Sequence, residues 1–443
     1  MKLLHYNMYN KLKYTFAICL LFTSIIANAQ VTIQSPYSKF GIGNLKGSLL
    51  PQFRAMGGIS TAVYTPGGFN NINIQNPASY AGIKATTLDI GLTGTLTDLR
   101  SSSQSDNSFN ASLSHVALAF PVTQKSALSF GVLPYSQLGY DFKNTVQIGT
   151  TAANTKTVDY KYTGEGGLTK AYLGYGIQFG DHLRVGANVE YLFGNLSEKR
   201  ATEIVNDPGA INSYMQSKNS VGGLSFSYGA QYDIRLDNKT SLIFGYSGSS
   251  NSKINSETSN IVKQYFNDAN GDEGEAIGTL DSVQNPSSNF KLPLVHNFGI
   301  SLQKNNKWLI GADYRMGKWS NLSIDNVKQG LQDTYGVSVG GQYTPDITSI
   351  NGYFKRVDYR LGLSYDKTYI QIGNQDIKQK SISVGLGLPL SSFARNTFYK
   401  MNVTAEYGQR GTVNNGLLQE KFINIHLGFT LNDYTWFRRF KFD

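Results

Sequence analysis

The chain has 443 residues, 40% of them hydrophobic, 12% aromatic and only 16% charged, with a formal net charge of +10. So many aromatics exclude a disordered chain, and past residue 30 no apolar run approaches the ~18 residues of a spanning helix. Forty-six glycines, 28 tyrosines and a mean hydropathy of −0.27 point instead to β structure that hides its apolar side chains by alternation.

Residues 1–29 read as an export signal. Lys2, Lys11 and Lys13 precede an apolar stretch from Phe16 to Ala27, and Ala27-Asn28-Ala29 supplies an A-x-A cleavage site. The only cysteine, Cys19, lies within this stretch, preceded by Ile18 and followed by Leu20-Leu21-Phe22, which is not the setting of a lipoprotein cut. A mature chain beginning at Gln30 has no cysteine, hence neither disulfide nor thiolate metal site. Three lysines and no acids leave with the signal, lowering the net charge from +10 to +7. The basic residues are dispersed, so no nucleic-acid footprint is expected.

Residues 30–84 lack alternation and are rich in Gly, Asn, Pro and Ser. Arg54-Ala55-Met56-Gly57-Gly58 resembles a short helix stopped by glycine. A structureless stretch of this length is unusual unless functional, and a wide barrel needs its lumen filled. A plug folded into the lumen is therefore expected, with a periplasmic arm as the alternative.

From residue 85 to 443 one theme repeats. In 182–194, Leu183, Val185, Ala187, Val189, Tyr191 and Phe193 face one way, and Arg184, Gly186, Asn188 and Glu190 the other. Fourteen such segments are predicted, near 86–98, 108–120, 126–142, 167–179, 182–197, 219–236, 239–254, 292–304, 307–318, 333–344, 357–369, 379–390, 397–410 and 420–431. An even number of long strands, aromatics near their ends (Trp308, Tyr314, Trp319, Tyr335, Tyr343, Tyr399, Tyr407) and short turns on one side predict an all-β transmembrane barrel. The long loops fall on the other side, at 143–166, 198–218 and 255–291; residues 345–356 break the rule. A soluble β-sandwich is disfavoured because its strands usually have about five or six residues.

With its plug segment carrying Met56-Gly57-Gly58 and Asn76-Pro77-Ala78 ahead of fourteen strands, the sequence resembles the FadL-type outer-membrane transporters of long-chain fatty acids and hydrocarbons. The opening Tyr37-Ser38-Lys39-Phe40-Gly41-Ile42-Gly43, and Leu431-Asn432-Asp433 followed by Trp436-Phe437, resemble that family's Bacteroidetes branch, which includes PorV-like relatives. The resemblance implies an outer-membrane channel for hydrophobic small molecules, with outer-membrane lipids as neighbours and Asn76, Pro77 and Ala78 gating in the plug. The branch also implies an alternative: a barrel that docks secretion-system or cell-surface proteins, with loops 143–166 and 255–291 as its surface. No residue set matches the family's ligand positions, so no particular ligand carries over.

Pro134 falls in a strand body, where proline cannot donate to the ladder and opens a gap or a bulge. FadL-type channels release ligand sideways through a break in the third strand, and 126–142 is the third strand here, so Gly131 and Pro134 are the expected lateral opening. The inward charges (Arg184, Glu190, Asp233, Arg235, Asp313, Arg315, Arg360, Asp366, Lys400, Glu406) are of mixed sign, which fits a salt-bridged lumen better than an ion-selective one. Asp268, Asn270 and Asp272 have calcium-loop spacing, but the glycine comes one residue late and the closing Glu is missing, so a solvated acidic loop is expected. His115, His182, His296 and His426 accompany no catalytic or metal motif, so neither an enzyme nor a cofactor is expected.

Overall fold

A computed structural model describes residues 35–435, leaving out 65–68, 103, 150–154, 206, 208, 269–272, 391–396 and the Pro286 side chain. The leader with Cys19, Asn270 and Asp272 of the acidic loop, and Trp436-Phe437 lie outside the described residues.

Fourteen antiparallel strands follow one another around a closed wall. They are β1 Thr86–Arg100, β2 Ser105–Thr123, β3 Ser126–Ile148, β4 Lys156–Phe179, β5 Leu183–Ile204, β6 Asn212–Arg235 and β7 Thr240–Ser249. The second half comprises β8 Val295–Lys304, β9 Trp308–Gly317, β10 Thr334–Tyr343, β11 Asp358–Ile372, β12 Gln375–Leu390, β13 Thr397–Gly411 and β14 Gln419–Asp433. Closure comes from β14 pairing with β1, from Gln419 opposite Arg100 to Asp433 opposite Thr86. All fourteen predicted segments are strands of this wall. No helix among the described residues is long and apolar enough to cross a membrane.

Alternation turns the barrel inside out relative to a soluble protein. On β5, Leu183, Val189, Tyr191 and Phe193 are exposed on the outer surface, whereas Arg184, Asn188 and Glu190 are buried. Trp308, Tyr343 and Tyr359 stand side by side in register toward the end with short turns. Tyr314, Tyr335 and Tyr407 are exposed toward the opposite end. Trp319 departs from the expected aromatic rim. It lies beyond β9 in a short 3₁₀ turn, is only 4% exposed, and packs against Tyr369 with ring centroids 5.0 Å apart.

The long connections also differ from loops. Residues 143–166 mostly continue β3 and β4, which stay paired up to Ile148 opposite Lys156. Residues 255–291 form most of a hairpin, Lys253–Asn267 and Glu273–Lys291, whose first strand pairs with the upper part of β6 from Asn212–Tyr265 to Gly222–Asn255. β3 to β6 have 22 to 24 residues each, where a tilted spanning strand needs about 9–11. Their upper halves therefore rise above the apolar band as a wall. Period-two patterning fades there because both faces can be polar: residues 143–148 are all exposed. The longer strands also take in Pro121, Pro286 and Pro389, so Pro134 is not the only strand proline; Pro121 and Pro389 sit near strand ends.

Candidate functional site

The amino-terminal segment packs against the inward face of the wall, and its backbone polar groups find partners there. A helical turn Pro51–Arg54 ends where Gly57 and Gly58 take φ of +68° and +90°. Next along the chain, Asp313 of β9 accepts hydrogen bonds from the backbone N–H groups of Ser60 (2.8 Å) and Thr61 (2.9 Å). Gln231 of β6 donates to the Thr61 and Val63 carbonyls, and Ser301 of β8 to that of Ala62. A peptide backbone buried without such partners would be strongly destabilised.

Asn76, Pro77 and Ala78 come together as one device. Asn76 caps the 3₁₀ turn Pro77–Gly82, its side-chain oxygen accepting from Ala78 N–H at 3.1 Å. Its amide donates to Thr61 O at 2.7 Å and toward Tyr246 O at 3.3 Å, tying two parts of the segment to β7. The wall makes room with inward glycines. A Cβ at Gly229 would stand 2.0 Å from Asn76 Oδ1, and one at Gly186 would stand 2.4 Å from Pro77. Sequence reasoning missed these glycines, although their inward register was readable from the alternation.

The wall is interrupted between β2 and β3. Their pairing runs from Thr123–Ser126 only as far as Val116–Val132. Beyond that point β2 continues on β1, and β3 continues on β4, with their facing edges unpaired to one another. Pro134 is the second residue past the last pair, and a bulge follows between Pro134 and Ser136. The extra residue reverses the facing of the strand: Phe130 and Val132 are exposed, while Leu138 and Tyr140 are buried. Gly131 sits below the gap in the closed part of the wall, opposite Ala117 and Tyr172.

The amino-terminal segment occupies the free β3 edge. Asn44 and Leu45 pair antiparallel with Gln137 and Ser136, Lys46 N–H donates to Tyr135 O at 3.0 Å, and Ser35 N–H to Gly139 O at 3.1 Å. A cavity of about 190 Å³ at the gap is lined by Lys46, Pro134, Asn110, Ser112 and Glu406. A larger one of about 410 Å³ is lined by Leu49, Tyr135, Lys170, Glu190, Leu292 and Trp319 among others.

Most of the expected inward charges are paired. Lys170 meets Glu190 at 3.1 Å, Arg315 meets Asp366 at 2.8 Å, and Arg184 meets Asp233 at 3.6 Å. Arg360 and Lys400 both reach Asp358 at 2.8 Å, and His426 lies 3.5 Å from Glu406. Arg235 instead lies exposed at the rim. Of the other histidines, His115 meets Asp89 at 2.7 Å, His182 the Asp233 carbonyl at 2.7 Å and His296 the Tyr246 hydroxyl at 2.8 Å. In the amino-terminal segment, burial and then the charges of Arg54 and Arg410 bring the Lys46 ammonium down to about 8.

A closed wall of fourteen antiparallel strands, apolar outside and charged within, is the architecture of an outer-membrane β-barrel, and solved FadL-like barrels share this fold. Similar solved structures include the CymD monoaromatic hydrocarbon channel, with a TM-score of 0.54 and 13% identity over 89% of this chain and 98% of that one. A Pseudomonas aeruginosa FadL homologue gives 0.56 and 13%, covering 88% of this chain and 100% of its own. The Pseudomonas putida toluene transporter TodX gives 0.54 and 15%, covering 89% and 100%. A search of curated proteins returned no match. The BamG family model matches residues 8–443, and the chain belongs to the BamG family.

Proposed function

We propose that the protein is an outer-membrane channel that takes up hydrophobic small molecules, such as long-chain fatty acids or hydrocarbons, and releases them sideways into the bilayer. The observation that carries this reading is the unpaired stretch between β2 and β3 beside Pro134, next to a cavity. On this reading residues 1–29 direct export, residues 30–84 are the plug, and the short-turn end faces the periplasm. A ligand enters from the tall side, lodges where Leu292, Trp319 and Tyr369 offer apolar contact, and gains about 0.8 kcal/mol per buried CH₂. Displacement of Asn44–Leu45 from the β3 edge then frees the lateral route. No step calls for catalysis or a cofactor.

The test is a variant in which Pro134→Val is combined with deletion of Tyr135, restoring both the missing N–H and the register. In proteoliposomes, uptake of radiolabelled oleate should be abolished while heat-modifiable migration shows an intact barrel. Uptake at the unaltered rate in the folded variant overturns the lateral route.

A second reading, a barrel that docks other proteins, is favoured by the height of β3 to β6 and their hairpin. Membership of the BamG family suggests a relation to assembly machinery. The two readings separate when the hairpin is removed, as described in the Discussion.

A further inference from the structure

Between β10 and β11 runs a long connection, at the end where the other described connections have only two to four residues. It carries the two most exposed large apolar side chains among the described residues, Ile350 at 90% and Phe354 at 74%. The segment is nonetheless built. The Asp346 carboxylate accepts from Thr348 N–H (3.0 Å) and Oγ1 (2.7 Å), and Asp346 N–H donates to the Lys355 carbonyl at 2.7 Å. Gly352 N–H donates to Ser349 Oγ at 3.2 Å, and Tyr353–Lys355 form a 3₁₀ turn.

The turn Tyr353–Lys355 is tied to the wall where the Tyr359 hydroxyl donates to the Phe354 carbonyl at 3.1 Å. Tyr359 belongs to the outward row with Tyr343 and Trp308. The turn Tyr353–Lys355 therefore sits beside the aromatic rim of the apolar band and continues that band, whereas Ile347, earlier in the connection, faces a cavity shared with Phe53, Tyr64 and Arg360. Cations follow at once. Lys355 is exposed, and the Arg356 guanidinium lies 5.7 Å from the Tyr353 ring with its Nε buried and unpartnered. Lys307 joins them from the neighbouring turn, where its carbonyl accepts from Thr344 N–H at 2.7 Å. The only acid of the connection is Asp346, already engaged by Thr348. Exposed apolar side chains bordered by lysine and arginine, at the level of an aromatic rim, are the composition of an interfacial membrane anchor.

We propose that residues 345–356 insert Ile350, Tyr353 and Phe354 into the leaflet at the short-turn end, and hold an anionic phospholipid headgroup with Lys355 and Arg356. This rests on the apolar outer band being embedded in lipid, and the experiment separates the two claims. Cys19, in the proposed leader, is the only native cysteine, so single-cysteine variants are simple to make. Ile350→Cys and, as a control in the middle of the band, Leu361→Cys are labelled with the environment-sensitive fluorophore NBD. The full mature barrel is then reconstituted in vesicles of phosphatidylethanolamine and phosphatidylglycerol, with or without doxyl-labelled lipid.

Both positions should show blue-shifted emission quenched by doxyl lipid and protected from aqueous iodide. Quenching at 361 but not at 350 overturns the anchor and leaves the embedded barrel standing. Absence of quenching at both overturns the embedded band and the anchor with it. A label at 350 that is open to iodide in vesicles but shielded in native outer membranes assigns the surface to a protein partner and overturns the lipid assignment. The double substitution Lys355→Glu, Arg356→Glu tests the headgroup. Native mass spectrometry should show fewer retained phosphatidylglycerol molecules, and undiminished retention removes that part of the proposal.

Discussion

Asn76 works through its full hydrogen-bonding capacity, capping one turn with its oxygen and bracing Thr61 and β7 with its amide, while completely buried. Asn76→Ala removes the cap on Ala78 N–H and one of the two side-chain donors to the Thr61 carbonyl, the other being Gln231, so a loss of about 1–3 kcal/mol is expected, read as a lower thermal midpoint in detergent. Lys46 sets a pH dependence in the same segment. Its ammonium is lowered on folding from 10.5 to about 8, chiefly by burial. A lysine lowered in this way destabilises the folded state while protonated, and the cost is relieved as pH rises from about 8 toward 10.5. Hydrogen exchange at Asn44–Leu45, corrected for intrinsic rates, should therefore slow between about pH 7 and pH 9.5. The gain is on the order of 2 kcal/mol, and it should vanish in Lys46→Met. Of these two residues, Asn76 was legible beforehand as part of a motif. Lys46 was not, because nothing local marks a lysine that tertiary packing will half-bury.

Among the elements, the hairpin 253–291 offers the cleanest separation of the two functional readings. β7 and β8 pair directly over ten residues, from Thr240–Lys304 to Ser249–Val295, so the wall closes without the hairpin. Replacing 253–291 by a short turn should leave a heat-modifiable barrel that still takes up oleate in proteoliposomes, if the channel reading holds. Loss of co-purifying outer-membrane proteins on removal of the hairpin, with no oleate uptake by either the intact or the shortened barrel, would instead favour docking. β3 carries its break for two local reasons: Pro134 withholds an N–H, and the bulge turns the next side chains around. The proline was visible in the sequence. That the β2 edge would separate from β3 just there, and that Asn44–Leu45 would cover the β3 edge, was not: the covering strand comes from far along the chain, Asn44 pairing with Gln137 and Leu45 with Ser136.

At the scale of the whole molecule, the amino-terminal segment is hydrogen-bonded by wall side chains that include Gln231, Ser301, Asp313, Thr404 and Asn432, and on the proposed reading it plugs the lumen. Deleting residues 35–80 should raise single-channel conductance in planar bilayers well above that of the intact chain, and an unchanged conductance would remove the plug from the account. The chain by itself determined the class, strand number and facing of this barrel, because lipid on one side and a polar lumen on the other impose a period of two that each strand must carry locally. It could not set how far β3 to β6 rise, since outside the band that two-sided constraint is gone. Tertiary structure alone decided which inward glycines receive Asn76 and Pro77, why Trp319 lies within rather than at the rim, and where the wall opens. Each depends on close approach between segments distant in sequence, and close packing is a property of the assembled wall rather than of any strand within it.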